Sequence, residues 1–227
     1  MIQLRPAIFL TLIICFGSSH AWTATLPAGF VYLDAAAPEI AIELRYITEN
    51  NFLGIPVDGY ETPRCIISSE AAQALKKVQT DLASFGLGLK VFDAYRPQRA
   101  VDHFVRWAKD TSDTKMKPHY YPDVKKKNLF KQGYIASKSS HTRGSTVDLT
   151  IISLETGEEV DMGSGFDFFG PESWPTNLEM TASQRAHRML LHTLMLTHGF
   201  SHYDKEWWHF TFKKEPFPNT YFDFPVH

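Results

Sequence analysis

The run Ser139-Ser140-His141-Thr142-Arg143-Gly144-Ser145-Thr146-Val147-Asp148 sets an imidazole in a polar, glycine-containing turn and a carboxylate on the stretch that follows. A turn feeding a strand can bring positions i and i+7 to one point, where a helix would space them along its axis. Asp148 interrupts the apolar residues Val147, Leu149 and Ile151. A buried carboxylate there is costly unless paired or bound to metal. A surface-facing Asp on an edge strand would produce the same pattern. Further on, Glu206-Trp207-Trp208-His209-Phe210 puts a second imidazole inside an aromatic strand. A lone histidine in that setting is more often a hydrogen-bonded core residue. Glu206 lies three residues earlier, hence on the opposite face of a straight strand. A centre shared with His209 therefore needs a bend or bulge near Trp207, or a Glu206 that precedes the strand. The tryptophans supply a low-dielectric wall that raises the pKa of a neighbouring carboxyl.

Taken together, His141, Asp148 and His209 offer two nitrogens and one oxygen. Three protein ligands with one open position is the composition of a catalytic zinc site. Glu206 is then the candidate base for a water whose pKa the metal brings to about 7. Structural zinc sites favour four closed ligands, usually with cysteine, and the H-E-x-x-H pattern of helical zinc proteases is absent from the sequence. Arg96 follows a strand and is locked in its turn by Pro97. A fixed cation at that point can stabilise an oxyanion. A plain surface arginine at a helix start is the other reading, although the helix dipole disfavours a cation there.

The elements that must position these groups follow from periodicity. Ala71, Leu75, Val78, Leu82 and Phe85 predict a helix, with Ser68 or Ser69 at its start and Gly86 at its end. Leu89–Phe92 reads as a short strand. Val101, Phe104, Val105 and Ala108 continue a helical face from Pro97. Residues 110–138, polar and lysine-rich, read mostly as a surface excursion, with Lys125-Lys126-Lys127 as a solvated run. Thr146–Ile152 and Trp207–Phe212 predict strands. Between them, Thr181–His198 predicts a helix with Ala186, Met189, Leu190, Thr193 and Leu194 inward and Gly199 as its stop. Helices and strands do not alternate as βαβ units, so the expected class is α+β, a single compact domain with an antiparallel sheet and helices packed against it.

The chain has 227 residues, 44% of them hydrophobic, which is enough for a core and excludes disorder. Twenty-three basic against 25 acidic side chains leave a net charge of -2, with no general pull on nucleic acid or anionic lipid. Arg5 followed by the apolar run Ala7–Phe16 and by Ser19-His20-Ala21 has the order of a secretory signal, with cleavage expected after Ala21. Residues 1–21 are then the signal and 22–227 the mature domain, exported to the periplasm or the extracellular space. Of the two cysteines, Cys15 leaves with the signal, so Cys65 has no intramolecular partner. No later run reaches the roughly 20 residues of a membrane span, and no stable membrane association is expected after cleavage.

These residues resemble the zinc D-alanyl-D-alanine dipeptidases, the family that includes the dipeptidases of vancomycin resistance. The signature S-x-H-x-x-G-x-A-x-D resembles Ser139 to Asp148, and E-x-W-H is met by Glu206, Trp208 and His209. D-x-Y-R-P is met by Asp93, Tyr95, Arg96 and Pro97. Leu44-Arg45-Tyr46 with Asn51-Phe52-Leu53-Gly54 resembles the N-terminal signature, and Phe166-Asp167-Phe168-Phe169-Gly170 the later loop. One residue departs: Thr146 stands where the signature has alanine, which bears on local packing and pocket size.

The resemblance implies one zinc ion on His141, Asp148 and His209, with Glu206 as general base and then acid. It implies Arg96 as the group that polarises the scissile carbonyl, and Asp167, with Tyr46 nearby, as receiver of the substrate ammonium. It implies supporting roles for Ser139 and Ser140. The implied substrate is a small free D,D-dipeptide, D-Ala-D-Ala first, in a small closed cavity, as part of cell-wall peptide turnover. The implied fold is the compact α+β domain shared with murein-cleaving zinc peptidases and the hedgehog domain. A murein D,D-carboxypeptidase or endopeptidase on the same site, and a non-catalytic zinc-stabilised cell-wall binding domain, are the alternatives.

Overall fold

Alternating apolar residues in three segments build the centre of the molecule. β4 (Leu87–Asp93), β5 (Thr146–Ser153) and β7 (Glu206–Phe212) lie side by side in a five-stranded sheet. β2 (Ala41–Ile42) and β6 (Phe200–Tyr203) complete it in the order β2-β4-β5-β7-β6. The structure is a computed structural model that describes residues 25–227, so the expected signal at 1–21 lies outside the described residues. β5 is the middle strand, and Val147, Leu149 and Ile151 on it are fully buried. Asp148 is therefore not on an edge. It sits 2% exposed between two hydrogen-bonded neighbours.

The α+β class and the packed helices are as expected. The sheet is antiparallel except for one pair, β2 with β4, which run parallel. A separate two-stranded sheet joins β1 (Phe30–Tyr32) to β3 (Ile66–Ser68). α1 (Leu33–Ala36) follows β1, α2 (Ser69–Ala83) packs on β4, and α5 (Ala182–Thr197) packs on β6 and against α2. α3 (Gln98–Lys109) buries Val101, Phe104 and Ala108 as its spacing predicts, and Trp107 as well. The Thr181 hydroxyl accepts from the Gln184 N–H, and the Gln184 side chain returns a bond to Thr181, so α5 starts on a complete capping box.

Three expectations are corrected. The buried side of α5 is Arg188, Leu191 and Met195, whereas Ala186 and Thr193 are exposed and Met189 is 67% exposed. Phe85 lies beyond the end of α2 and is 71% exposed, and the Ser68 hydroxyl bonds Ser145 instead of capping the helix. The 110–138 excursion holds α4 (Lys117–Tyr120) and buries Tyr121 and Leu129 completely. Within its lysine run, Lys126 is buried, with its ammonium over the Trp107 ring and donating to the Asp113 carbonyl at 2.6 Å. Cys65 is free and buried. Among the described residues no helix is long and apolar enough to cross a membrane.

Candidate metal centre and active site

Strand register brings the site together. Asp93 of β4 is opposite Asp148 of β5, and Asp148 is opposite His209 of β7, so three strands present three polar residues in one row. A bulge between Val91 and Asp93 sets the first pairing. On β7 the pairing with β6 jumps from Phe210 to Glu206 while β6 advances only from His202 to Tyr203. Of the two arrangements the sequence allowed, this is the bulge, with Glu206 inside the strand and turned to the same side as His209. The Glu206 carboxylate lies 3.5 Å from His209 Nδ1.

His141 reaches the row from a 3-10 turn, Ser140–Arg143. The Ser139 hydroxyl accepts from the His141 N–H and caps that turn. Gly144 ends it at φ 83°, and a Cβ there would collide with the Phe30 ring. The turn therefore needs glycine for conformation and for room.

The donor atoms form a small triangle. His141 Nε2 is 3.3 Å from Asp148 Oδ1 and 3.3 Å from His209 Nδ1, and His209 Nδ1 is 3.0 Å from Asp148 Oδ1. A tetrahedral ion with bonds of about 2.0–2.1 Å spaces its ligands by about 3.3 Å. His141 donates its Nδ1 proton to the Ala94 carbonyl at 2.7 Å, so Nε2 of the neutral ring bears a lone pair. His209 Nε2 faces the Ser140 hydroxyl at 3.3 Å, which leaves Nδ1 for the triangle. Asp148 Oδ1 is buried and has no hydrogen bond. Lone pairs converging on an orphaned carboxylate oxygen are repulsive without a cation between them. The donor set thus fits a divalent metal.

Electrostatics split the two imidazoles: burial works to lower the His209 pKa, but the Asp148 carboxylate and then Glu206 outweigh it and raise it. Burial works to raise the Asp148 pKa, but the two imidazoles outweigh it and hold the carboxyl well below its usual range. Burial lowers the His141 pKa and favours its neutral, ligating form. Burial pushes Glu206 up to about 7, with the Asp148 charge adding to the rise, as suits a group that must both take and return a proton.

Arg96 is held from two sides. Its Nε donates to Asp93 Oδ2 at 2.8 Å and its Nη2 reaches Asp148 Oδ2 at 3.4 Å. Its guanidinium lies over the rings of Tyr46 and Phe104, at 5.0 and 5.1 Å from their centroids. The turn that carries it is packed from outside by the C-terminal segment, where the Phe224 ring stacks on Tyr95 at 4.1 Å and the Phe222 carbonyl accepts from the Gln98 N–H. Asp167 stands at φ 61°, a strained left-handed conformation for a residue with a side chain, and accepts from the Tyr46 hydroxyl at 2.8 Å. Burial and the Asp148 charge raise its pKa well above normal.

Tyr46, Arg96, Ser139, Ser140, His141, Asp148, Asp167, Glu206 and His209 all line one cavity of about 240 Å³. All nine side chains singled out in the sequence are therefore brought to one place. Thr146 does not line that cavity, and its hydroxyl pairs with that of Thr211 on β7 at 2.8 Å. The departure from alanine is absorbed between two strands and leaves pocket size alone.

Three contributors were missed. The Tyr60 hydroxyl donates to Asp93 Oδ1 at 2.7 Å and fixes the carboxylate that holds Arg96. Tyr134 lines the cavity from within the stretch read as surface, where the pair Tyr134-Ile135 in a polar run was the available signal. Arg188 of α5 clamps the 162–174 loop around Asp167, donating to the carbonyls of Met162, Trp174 and Glu172 and to the Ser164 hydroxyl. A single arginine in a helix carries no such signal.

The two-histidine, one-carboxylate cluster could hold a metal ion beside a carboxyl of raised pKa, an arrangement compatible with a metal-dependent hydrolase. The chain belongs to the M15 peptidase family, a metallopeptidase family whose model, described as D-Ala-D-Ala dipeptidase, matches residues 27–227. It is 44% identical over 198 residues to the D-alanyl-D-alanine dipeptidase of Enterococcus faecalis, a match covering 87% of this chain and 98% of that one. The D-alanyl-D-alanine dipeptidase of Streptomyces coelicolor is 41% identical over 87% of this chain and 98% of its own length. That of Escherichia coli is 32% identical over 76% of this chain and 79% of its own length.

Proposed function

We propose that this chain hydrolyses D-Ala-D-Ala to two D-alanines, with one zinc ion held by His141, Asp148 and His209. The donor triangle carries this reading, because Glu206 stands 3.5 Å from one of its nitrogens and both line a cavity of about 240 Å³, smaller than the roughly 300–1,000 Å³ of drug-sized sites. Zinc bound there supplies Lewis acidity and a nucleophile available near neutral pH. Glu206 takes the proton of the attacking water and returns it to the leaving amine. Arg96, fixed by Asp93, stabilises the charge that develops on the peptide oxygen. Asp167, aimed by Tyr46, receives the substrate ammonium. Ser140 orients His209, and Ser139 holds the turn that presents His141.

Residues 1–21 act as an export signal in this reading, and the enzyme works on cell-wall peptide outside the cytoplasm. The test is zinc content measured together with D-alanine release from free D-Ala-D-Ala and from a longer muropeptide. Stoichiometric zinc and preference for the dipeptide are expected. Preferred cleavage of the long substrate favours the murein peptidase, and bound zinc with no hydrolysis of either favours a binding domain.

A further inference from the structure

Two histidines outside the cavity face each other where α5 packs on β6. His192 Nε2 and His202 Nδ1 are 3.1 Å apart, with ring centroids 4.7 Å apart in an edge-to-face arrangement. The imidazoles of the active-site triangle have nearly the same geometry, at 3.3 and 4.9 Å. The second nitrogen of His202, Nε2, lies 3.1 Å from Asp204 Oδ1. With that carboxylate beside Nε2, it is Nδ1 of His202 that faces His192. A carboxylate behind an imidazole is the usual outer partner of a metal-ligating histidine. Burial, then His202 beside it, lower the His192 pKa, the direction that favours a ligating ring. Both rings border a cleft of about 430 Å³ whose walls include Met180, Met189 and Trp207, so there is room for further ligands.

We propose that His192 and His202 form a second metal site, at the surface, that takes a divalent ion of the zinc, copper or nickel class through His192 Nε2 and His202 Nδ1. Water from the cleft completes the coordination. Imidazole nitrogens select these ions over magnesium and calcium, which take oxygen ligands. The site has two protein donors and its outer carboxylate is solvent-exposed, so it binds more weakly than the buried triangle. The competing arrangement is one imidazole–imidazole hydrogen bond with no ion.

Zinc bound to the untagged full chain, counted after equilibrium dialysis over a range of free zinc, separates the two. A weaker equivalent is expected in the native protein, absent from both His192→Ala and His202→Ala. Asp204→Asn weakens that equivalent about tenfold. The conservative His192→Gln, which keeps a polar side chain on the helix, guards against loss through misfolding and should also lack it. His209→Ala is the reciprocal case and retains it. A native protein that takes up no weaker equivalent, or one that keeps it in both alanine variants, overturns the proposal.

Discussion

Two imidazole pairs in this molecule have almost the same ring geometry and opposite surroundings. His141 and His209 lie at the base of a cavity, and a buried carboxylate oxygen completes their triangle. His192 and His202 lie at the surface, and their carboxylate, Asp204, stands behind one ring at 88% exposure. Nitrogen spacing alone therefore does not make a catalytic centre. The difference lies in the third donor and in burial, which strengthen every charge interaction and leave Asp148 Oδ1 no other partner.

That contrast predicts a graded series of effects. His209→Ala breaks the triangle and should remove both the tightly held metal and all measurable turnover, as metal analysis and a D-alanine assay would record. Retained tight zinc in that variant would erase the distinction between the two pairs. Glu206→Gln should keep the metal and lose at least about a hundredfold in turnover, the lower end for a positioned proton-transfer group. Near-normal turnover would remove Glu206 from the chemistry. Arg96→Ala should cost turnover by about 100- to 1,000-fold, the loss typical of an oxyanion donor. It should also weaken metal retention, because Asp148 loses its outer partner.

Arg188→Ala should act at a distance. It orphans carbonyls of the Asp167 loop and should lower stability by about 3 kcal/mol in denaturant melts. KM should rise more than kcat falls, and a change in kcat alone would detach the loop from ammonium binding. The smallest effect belongs to Thr146→Ala, which restores the signature residue and leaves the Thr211 hydroxyl without its partner. It should cost about 1 kcal/mol in stability and leave KM for the dipeptide unchanged.

Much of this was legible along the chain. α2, α3, β5 and β7 announce themselves by periodicity, and the need for a bend near Trp207, or a Glu206 ahead of the strand, follows from the parity of Glu206 and His209. The inward face of α5 was not legible. Its buried stripe contains Arg188, whose partners are carbonyls of a distant loop, and hydropathy assigns a charge to solvent by default. The 110–138 stretch failed for the same reason. Lys126 is buried because an aromatic face and a carbonyl oxygen await its ammonium, and neither is visible from the neighbouring residues.

Read along the chain alone, the residues state which side chains are available for chemistry, the class of fold that carries them and the family they resemble. Local spacing is enough for the side chains and the fold class, because turns, caps and strand alternation are short-range effects, whereas the family came from the resemblance of whole motifs. Only the tertiary structure decided that Asp148 is central and orphaned, that Asp93, Asp148 and His209 share one row, and that a second imidazole pair meets at the surface. Those outcomes depend on strand order, register and two bulges, which are fixed by contacts between segments far apart in the chain.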